Sequence, residues 1–275
     1  MRKTIAVATK HGKLAQIQPA FNFLPEWELK LTEIDTDQFG TFSGEVPRVL
    51  TPKETAIDKA KAGARSLGLD YGLASEGTIG PHPHIPFINA DTETLALVCL
   101  SKDFAVVETF VSTEIFAKSL TVTLDSDLEA IALEMDIPNH AVNVYLGKSK
   151  SKVIYKGITN SSEFSSLVSQ SLKEFGEELL VESDFRAMNS PSRQANIAAC
   201  AEKLVKRIKS CCPECKEIGW GKVGYEYGLP CTQCDQVSQS AAHSEVYGCV
   251  ACPHKEIVSL GVASIDPSRC DSCNP

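Results

Sequence analysis

Tyr71-Gly-Leu-Ala-Ser-Glu76-Gly77-Thr78-Ile79-Gly80 reads as a short buried strand, Tyr71 to Ser75, that ends on a carboxylate and then on glycines. An acid at the C-terminal end of a strand, beside flexible backbone, is where α/β proteins place ligands. The plain alternative is a strand followed by a tight turn, and one Glu before one Gly does not separate the two. The neighbouring segments do.

Upstream, Lys3 to Thr9 is a near-continuous apolar, β-branched run, the pattern of a buried parallel strand. Thr9-Lys10-His11-Gly12-Lys13 follows, and then Leu14, Ile17, Phe21 and Leu24 at helical spacing, with Pro19 inside the pattern. Amides at such a helix start hold anions, and Lys10 and Lys13 add charge, although a solvated lysine explains Lys13 equally well. The spacing of a P-loop is missing. Trp27 to Ile34 alternates as a half-exposed strand, and Asp35 to Glu45 is a polar loop with three acids. Thr51-Pro52-Lys53-Glu54 opens a helix with a capping box, so Glu54 already has a structural explanation. Lys53, Lys59 and Lys61 on that helix read as surface charge.

Downstream, Pro81 to Pro86 is a stiff extended loop, and His82 and His84 alone are weak evidence for a metal. Leu95 to Leu100 and Ala105 to Ile115 read as a hairpin. Ser126-Asp-Leu-Glu129 reads as a second capping box, opening a helix that Pro138 closes. Ala141 to Leu146 and Lys152 to Tyr155 are strands around a basic turn. Ser161 to Val181 is expected to be one amphipathic helix with Phe164, Leu167, Val168, Leu172, Phe175 and Leu179 on its apolar face. Arg186 lies in a polar link, and Ser190-Pro191 starts another helix whose last turn is basic.

The composition bounds the class. A net charge of -8 over 275 residues argues against a basic nucleic-acid surface along the whole chain, and 43% hydrophobic residues suit a globular core. The longest apolar run, Leu95 to Leu100, is far too short for a membrane span, and Met1 to Val7 lacks the features of a signal peptide. The chain is therefore expected in the cytoplasm. Thiols stay reduced there, so the 11 cysteines read better as metal ligands than as disulfides.

Three pieces of the N-terminal part resemble the inosine/xanthosine triphosphate pyrophosphatase superfamily. Ala8-Thr9-Lys10-His11-Gly12-Lys13 is similar to its phosphate turn. Pro52-Lys53-Glu54-Thr-Ala-Ile-Asp-Lys59-Ala is similar to its Glu-bearing helix, and Leu73-Ala-Ser-Glu76-Gly77 to its acidic strand end. Ser183-Asp-Phe-Arg186-Ala is a fainter echo of its Ser-His-Arg base-reading motif, with Phe185 where a His is expected. The spacing from Thr9 to Lys13 is one residue short, and Glu76 lacks an adjacent second acid. The resemblance covers residues 1–208 and implies an α/β domain, a mixed sheet flanked by helices. It also implies a Mg²⁺-dependent nucleoside triphosphate pyrophosphatase, and a homodimer by analogy. In that chemistry Mg²⁺ neutralises the triphosphate and a positioned water attacks. Glu76, with Glu54 or an acid of the Asp35–Asp37 loop, would hold the metal. Lys13, Lys10 and Thr9 would hold phosphates, and Arg186 would reach the nucleotide. A non-catalytic nucleotide-sensing or adaptor protein on the same fold is the alternative. The whole also resembles a bacterial family that couples such a domain to a Cys-rich tail.

The tail, residues 209–275, carries the most specific signal. Cys212-x-x-Cys215, Cys231-x-x-Cys234, Cys249-x-x-Cys252 and Cys270-x-x-Cys273 are separated by 15, 14 and 17 residues. Four such knuckles supply the thiolates of two Cys₄ zinc sites. Sequential pairing gives two zinc ribbons, and pairing first with third and second with fourth gives an interleaved module; the spacing admits both. Cys211 is an alternative ligand to Cys212. Four thiolates leave no open position, so both zinc ions are expected to be structural. With few basic residues, the tail is expected to meet a protein partner rather than nucleic acid.

Overall fold

Lys3–Ala8 forms strand β1, next to one edge of a five-stranded sheet and buried from Ile5 onward. β2 (Trp27–Leu31) pairs with it in parallel, Ile5 opposite Leu29, and β3 (Tyr71–Pro81) pairs in parallel on the other side, Ile5 opposite Tyr71 and Ala8 opposite Ala74. The sheet order is β2-β1-β3-β4-β5, with β4 at Asn89–Cys99 and β5 at Phe104–Ser112. α1 (Leu14–Phe21) follows β1 and carries Pro19 in its interior. α2 (Pro52–Ser66) buries Ala56, Ala60 and Ala64, and its Thr51/Glu54 capping box is present in both directions. The computed structural model describes residues 2–10, 12–40 and 46–275; His11 and Glu45, which the sequence reading included, lie outside them.

β3 departs from its expected shape. It does not stop at Ser75 but runs on through Glu76 and Gly77 to Pro81. Glu76 is therefore a mid-strand residue, 4% exposed, rather than a strand end. Gly77 is needed there for room. A Cβ at that position would lie 2.1 Å from a guanidinium nitrogen of Arg193 and 2.6 Å from Glu93 Oε1.

A second, antiparallel sheet has the order β6-β9-β7-β8, from Ser119–Val122, Leu179–Ser183, Val142–Leu146 and Lys152–Ile158. Its apolar side chains Val122, Val142, Val144, Leu179 and Val181 pack with Phe164, Val168 and Leu172 of α4 (Ser161–Phe175) and with Met135, just past α3 (Leu128–Glu134). Each such fully buried side chain stabilises by about 1.5–3 kcal/mol relative to exposure. Two expectations are corrected here. α3 (Leu128–Glu134) is capped by Asp127, whose side chain accepts from the amides of Glu129 and Ala130, and not by Ser126. The expected helix from Ser161 to Val181 stops at Phe175 (α4), where Gly176 takes a φ of 67° and caps it. Leu179 then begins β9. A left-handed residue ends a helix, and a Leu-Leu-Val run beyond it suits a buried strand.

α5 (Pro191–Lys209) leads to the tail. There β10 (Gly221–Pro230), β11 (Val237–Gly248) and β12 (Lys255–Ser259) form a three-stranded antiparallel sheet. The chain divides into two compact units: unit 1 is Met1–Leu97 with Val107–Lys203, and unit 2 is Val98–Val106 with Leu204–Pro275. The expected boundary at 208/209 thus lies inside α5, and the β4–β5 turn joins the tail. The fold is mixed α/β, with three sheets and five α-helices among the described residues. No helix among the described residues is long and apolar enough to cross a membrane.

Candidate ligand cavity and metal centres

Unit 1 contains a cavity of about 200 Å³ whose walls come from both of its sheets. β1 delivers Thr9 and Lys10 to it, the start of α1 delivers Lys13, α2 delivers Lys59, and β3 delivers Ser75 and Glu76. β7 contributes Asn143 and Tyr145, the segment after β9 contributes Asp184 and Arg186, and α5 contributes Arg193. Of the residues singled out in the sequence, Thr9, Lys10, Lys13, Glu76 and Arg186 share this cavity. Glu54 does not line it. Its carboxylate accepts from the Thr51 amide at 2.9 Å and the Thr51 hydroxyl at 2.7 Å, and these bonds, the hydroxyl's first, hold its pKa below the usual carboxylate value.

The cavity is rich in cations. Lys13 is 8% exposed and donates to Ser75 Oγ at 3.1 Å. Burial, reinforced by nearby Arg193, lowers its pKa to about 8, while Glu93 and Glu76 pull the other way. Lys59, read from sequence as surface charge, is 6% exposed and contacts Glu76 Oε2 at 2.5 Å. Arg48 grips the other Glu76 oxygen at 3.1 Å and the Gly77 carbonyl at 2.9 Å. Lys10 pairs with Asp35 at 2.9 Å and Asp37 at 2.6 Å. Arg193, fully buried, contacts Glu93 at 2.5 Å and donates to the Phe185 carbonyl at 2.5 Å. Arg186 pairs with Asp184, and Lys150 with Glu182 at 2.6 Å.

Eight cationic side chains line the cavity (Lys10, Lys13, Arg48, Lys59, Lys150, Lys156, Arg186, Arg193) against four carboxylates (Asp37, Glu76, Glu182, Asp184), and Asp35 and Glu93, outside the lining, pair with Lys10 and Arg193, which leaves an excess of two positive charges. Each of the four carboxylates is within ion-pair distance of a cation. A net cationic lining is complementary to an anion. Among the described residues, the groupings of three or more convergent metal-binding side chains are both made of cysteines.

Those two groups are Cys212, Cys215, Cys249 and Cys252, and Cys231, Cys234, Cys270 and Cys273. The pairing is thus the interleaved one, and the sequential ribbons are excluded. The β10–β11 hairpin is the reason. Antiparallel pairing sets Gly221 opposite Gly248, so the first and third knuckles meet at the open end of the hairpin. It sets Pro230 opposite Val237, so the second knuckle sits at the tip, where the Cys231–Ile265 bridge brings in the fourth. Sequential pairing would require the two ends of a ten-residue strand, roughly 30 Å apart, to coincide.

Within the first group the sulfurs of Cys212 and Cys252 lie 3.8 Å apart and those of Cys215 and Cys249 3.5 Å. In the second, Cys231 and Cys273 are 3.9 Å apart and Cys234 and Cys270 3.7 Å. Four sulfurs about 2.3 Å from a central zinc stand about 3.8 Å from one another, so both groups have the donor set and size for a zinc ion. Amides of Gln233, Ala251 and Ser272 donate to the sulfurs of Cys231, Cys249 and Cys270. Cys211 lies outside both groups, bridged to Ile218. Cys200 is buried, donates to the Glu93 carbonyl, and has its pKa pushed up to about 12 by that burial.

The sequence reading did not single out Arg48, Lys150, Lys156 or Arg193 as cavity residues. A lone basic residue in a loop, on an edge strand or in the first turn of a helix carries no spacing signal. Only the approach of two sheets makes it part of a site.

No curated protein matches the chain, and no solved structure does. A domain family does match over most of the length. Its model begins at Lys59 and so takes in Glu76, Arg186 and all eight clustered cysteines, leaving the Thr9–Lys13 turn and Glu54 outside. The matched span is residues 59–275 and its description is a domain of unknown function, DUF6671; the chain belongs to that family.

Proposed function

We propose that unit 1 binds a nucleoside triphosphate in its cationic cavity and that unit 2 is a zinc-stapled module. The observation that carries the nucleotide reading is the convergence of buried Lys13 and Lys59 with Arg48 and Arg193 on one cavity, at the start of α1 and beside β3. Cations held inside protein attract phosphate oxygens more strongly than exposed ones do. The resemblance of Thr9–Lys13 and of Leu73–Gly77 to a nucleotide pyrophosphatase supports hydrolysis of the phosphoanhydride as the reaction. In that reading Lys13 and Lys59 hold the phosphates, Glu76 is the carboxylate nearest to them, and Mg²⁺ would arrive with the triphosphate. The cavity's carboxylates are all ion-paired to cations.

The same ion pairing favours a second reading, a sensor that binds the nucleotide without cleaving it. The two separate in one experiment on zinc-replete protein. Calorimetric titration with standard and deaminated triphosphates reads binding, and pyrophosphate and phosphate release with Mg²⁺ reads cleavage. Binding with release that vanishes in Glu76→Gln supports the hydrolase, and binding without release supports the sensor. Absence of binding by every nucleotide removes both.

For unit 2 we propose a structural role for two zinc ions. Its apolar cluster is small: Leu229, Cys231, Ala241, Ile265 and Cys270, with Cys234 beside it. A core of that size does not hold a fold alone, and metal–thiolate bonds replace it. Residues 211–275 carry four basic groups (Lys216, Lys222, Lys255, Arg269) and eight acidic ones. A protein partner therefore suits this unit better than nucleic acid. Fluorescence polarisation with labelled RNA and DNA should show no binding at physiological salt. The homodimer implied by the resemblance is checked by sedimentation.

A further inference from the structure

We infer that Ser192, His140 and Asp136 form a second site in unit 1, a nucleophilic serine that cleaves carboxylic esters. It does not depend on the nucleotide reading, and none of the three residues lines the cationic cavity.

Two segments deliver the three side chains. Asp136 and His140 belong to the turn after α3, which the His140 amide closes on the Asp136 carbonyl at 3.0 Å. Asp136 has a φ of 56°, a left-handed backbone that Asp adopts more readily than most residues. Its Oδ2 lies 2.7 Å from His140 Nδ1, and its Oδ1 accepts from the Asn139 amide group at 3.0 Å. These bonds, the Asn139 one first, hold the Asp136 carboxyl below its usual pKa. An ionised carboxylate only accepts, so Nδ1 of the ring carries the hydrogen and Nε2 of the neutral imidazole keeps a lone pair.

Ser192, in the first turn of α5, faces that lone pair, with Oγ 3.5 Å from His140 Nε2. The Phe116 amide donates to the same Oγ at 3.2 Å, so the hydroxyl's own proton is the one left to give away. His140 Nε2 and Ser190 Oγ, at 3.4 Å, are acceptors within its reach. The Phe116 ring stacks on the imidazole, with centroids 4.4 Å apart and planes at 25°, and fixes its tilt. Ser192 and His140 are half-buried and therefore reachable from solvent. Hydroxyl, imidazole and carboxylate in this order make a serine nucleophilic, and the hydroxyl–imidazole contact is commonly loose before substrate binds. The positive end of α5 favours negative charge developing at Oγ.

In the reaction Ser192 Oγ bonds to the ester's carbonyl carbon and gives its proton to His140 Nε2. The ester C–O bond breaks, and the alcohol leaves with that proton. Water then attacks the acyl-serine, passing a proton through His140 back to Oγ, and the carboxylic acid is released. Asp136 is a positioning residue, holding the ring in the tautomer that can accept.

The test uses the full, zinc-replete chain with a biotinylated fluorophosphonate as probe and p-nitrophenyl acetate as ester. Tandem mass spectrometry is expected to find one adduct, on Ser192, formed by folded but not by guanidinium-unfolded chain. Labelled chain is expected to lose p-nitrophenol release. His140→Gln should slow labelling by about a hundredfold or more, the usual worth of an activating base. Asp136→Asn should slow it too and shift the His140 ring away from the Nδ1–H tautomer in ¹⁵N NMR, a change that lost packing alone does not produce. No adduct on Ser192 of the folded parent chain overturns the inference, whatever the variants do. So does labelling at an unchanged rate in folded His140→Gln, or equal ester cleavage by labelled and unlabelled chain.

Discussion

Lys13→Met isolates the energetic cost of the cavity. Lys13 is 8% exposed, and burial moves its pKa from 10.5 to about 8. The sign follows from proton counting. Below pH 8 both folded and unfolded chains hold the proton, and the folded chain bears the whole penalty of a buried ammonium. Between pH 8 and 10.5 the unfolded chain holds more protons, so stability rises with pH. A shift of about 2.5 units corresponds to about 3 kcal/mol at neutral pH. Loss of the Ser75 hydrogen bond takes back about 1 kcal/mol. Lys13→Met should therefore be more stable than the parent by about 2 kcal/mol near pH 7. That advantage should shrink by about 2–3 kcal/mol as the pH is raised toward 10.

Two tryptophans make the assay clean. Trp27 reports on unit 1 and Trp220 on unit 2, so guanidinium unfolding in a Trp220→Phe background follows unit 1. Taking the difference between parent and variant at each pH cancels every other titration. If the proposed nucleotide reading holds, the same variant should lose affinity for phosphate ligands, because the destabilising charge is one that this reading gives to the phosphates. A Lys13→Met chain that is less stable than the parent at neutral pH, or a stability difference independent of pH, would refute the assignment of Lys13 as a desolvated cation.

Other consequences are as direct. The interleaved pairing predicts that Cys212→Ser with Cys252→Ser abolishes one zinc site and leaves the other four ligands intact, so elemental analysis should find about one zinc per chain; sequential pairing would damage both sites. Gly77→Ala forces a methyl group into the Arg193–Glu93 pair, and unit 1 should lose about 3 kcal/mol in denaturant titration. Asp91 is fully buried and accepts from Asn196 at 2.9 Å, and burial, then nearby Glu93, raises its pKa to about 6. Its folded pKa lies above 3.8, so the buried charge is penalised above pH 6 and relieved as pH falls. Asp91→Asn should therefore stabilise by up to about 3 kcal/mol at pH 8, an effect that unfolding curves should show fading toward pH 4.

Local signals were legible wherever short-range chemistry decides. The Thr51/Glu54 box at the start of α2 depends on residues three apart, and it is present as read. The eight clustered cysteines were legible because Cys-x-x-Cys places two thiolates on one side of a metal whatever surrounds it. β9 was not legible. Its apolar residues continue the periodicity of α4, and only the left-handed Gly176 and pairing with β6 and β7 reveal the strand. Nor was the length of β3, because Gly77 reads as a turn until Arg193 and Glu93 are seen filling the space its side chain would take.

The sequence by itself determined the α/β character of unit 1, the thiolate donor sets of unit 2, and the basic turn from Thr9 to Lys13. Residue type and close spacing are sufficient for each of these. Tertiary structure decided which knuckles share a metal, because strand direction sets which chain segments meet. It also decided that Lys59 is a buried partner of Glu76 and not surface charge, and that Arg186 and Arg193 join Lys13 at one cavity. These are contacts between segments up to some 180 residues apart in a chain of 275, and their energies depend on burial and distance, which no local pattern of residues records.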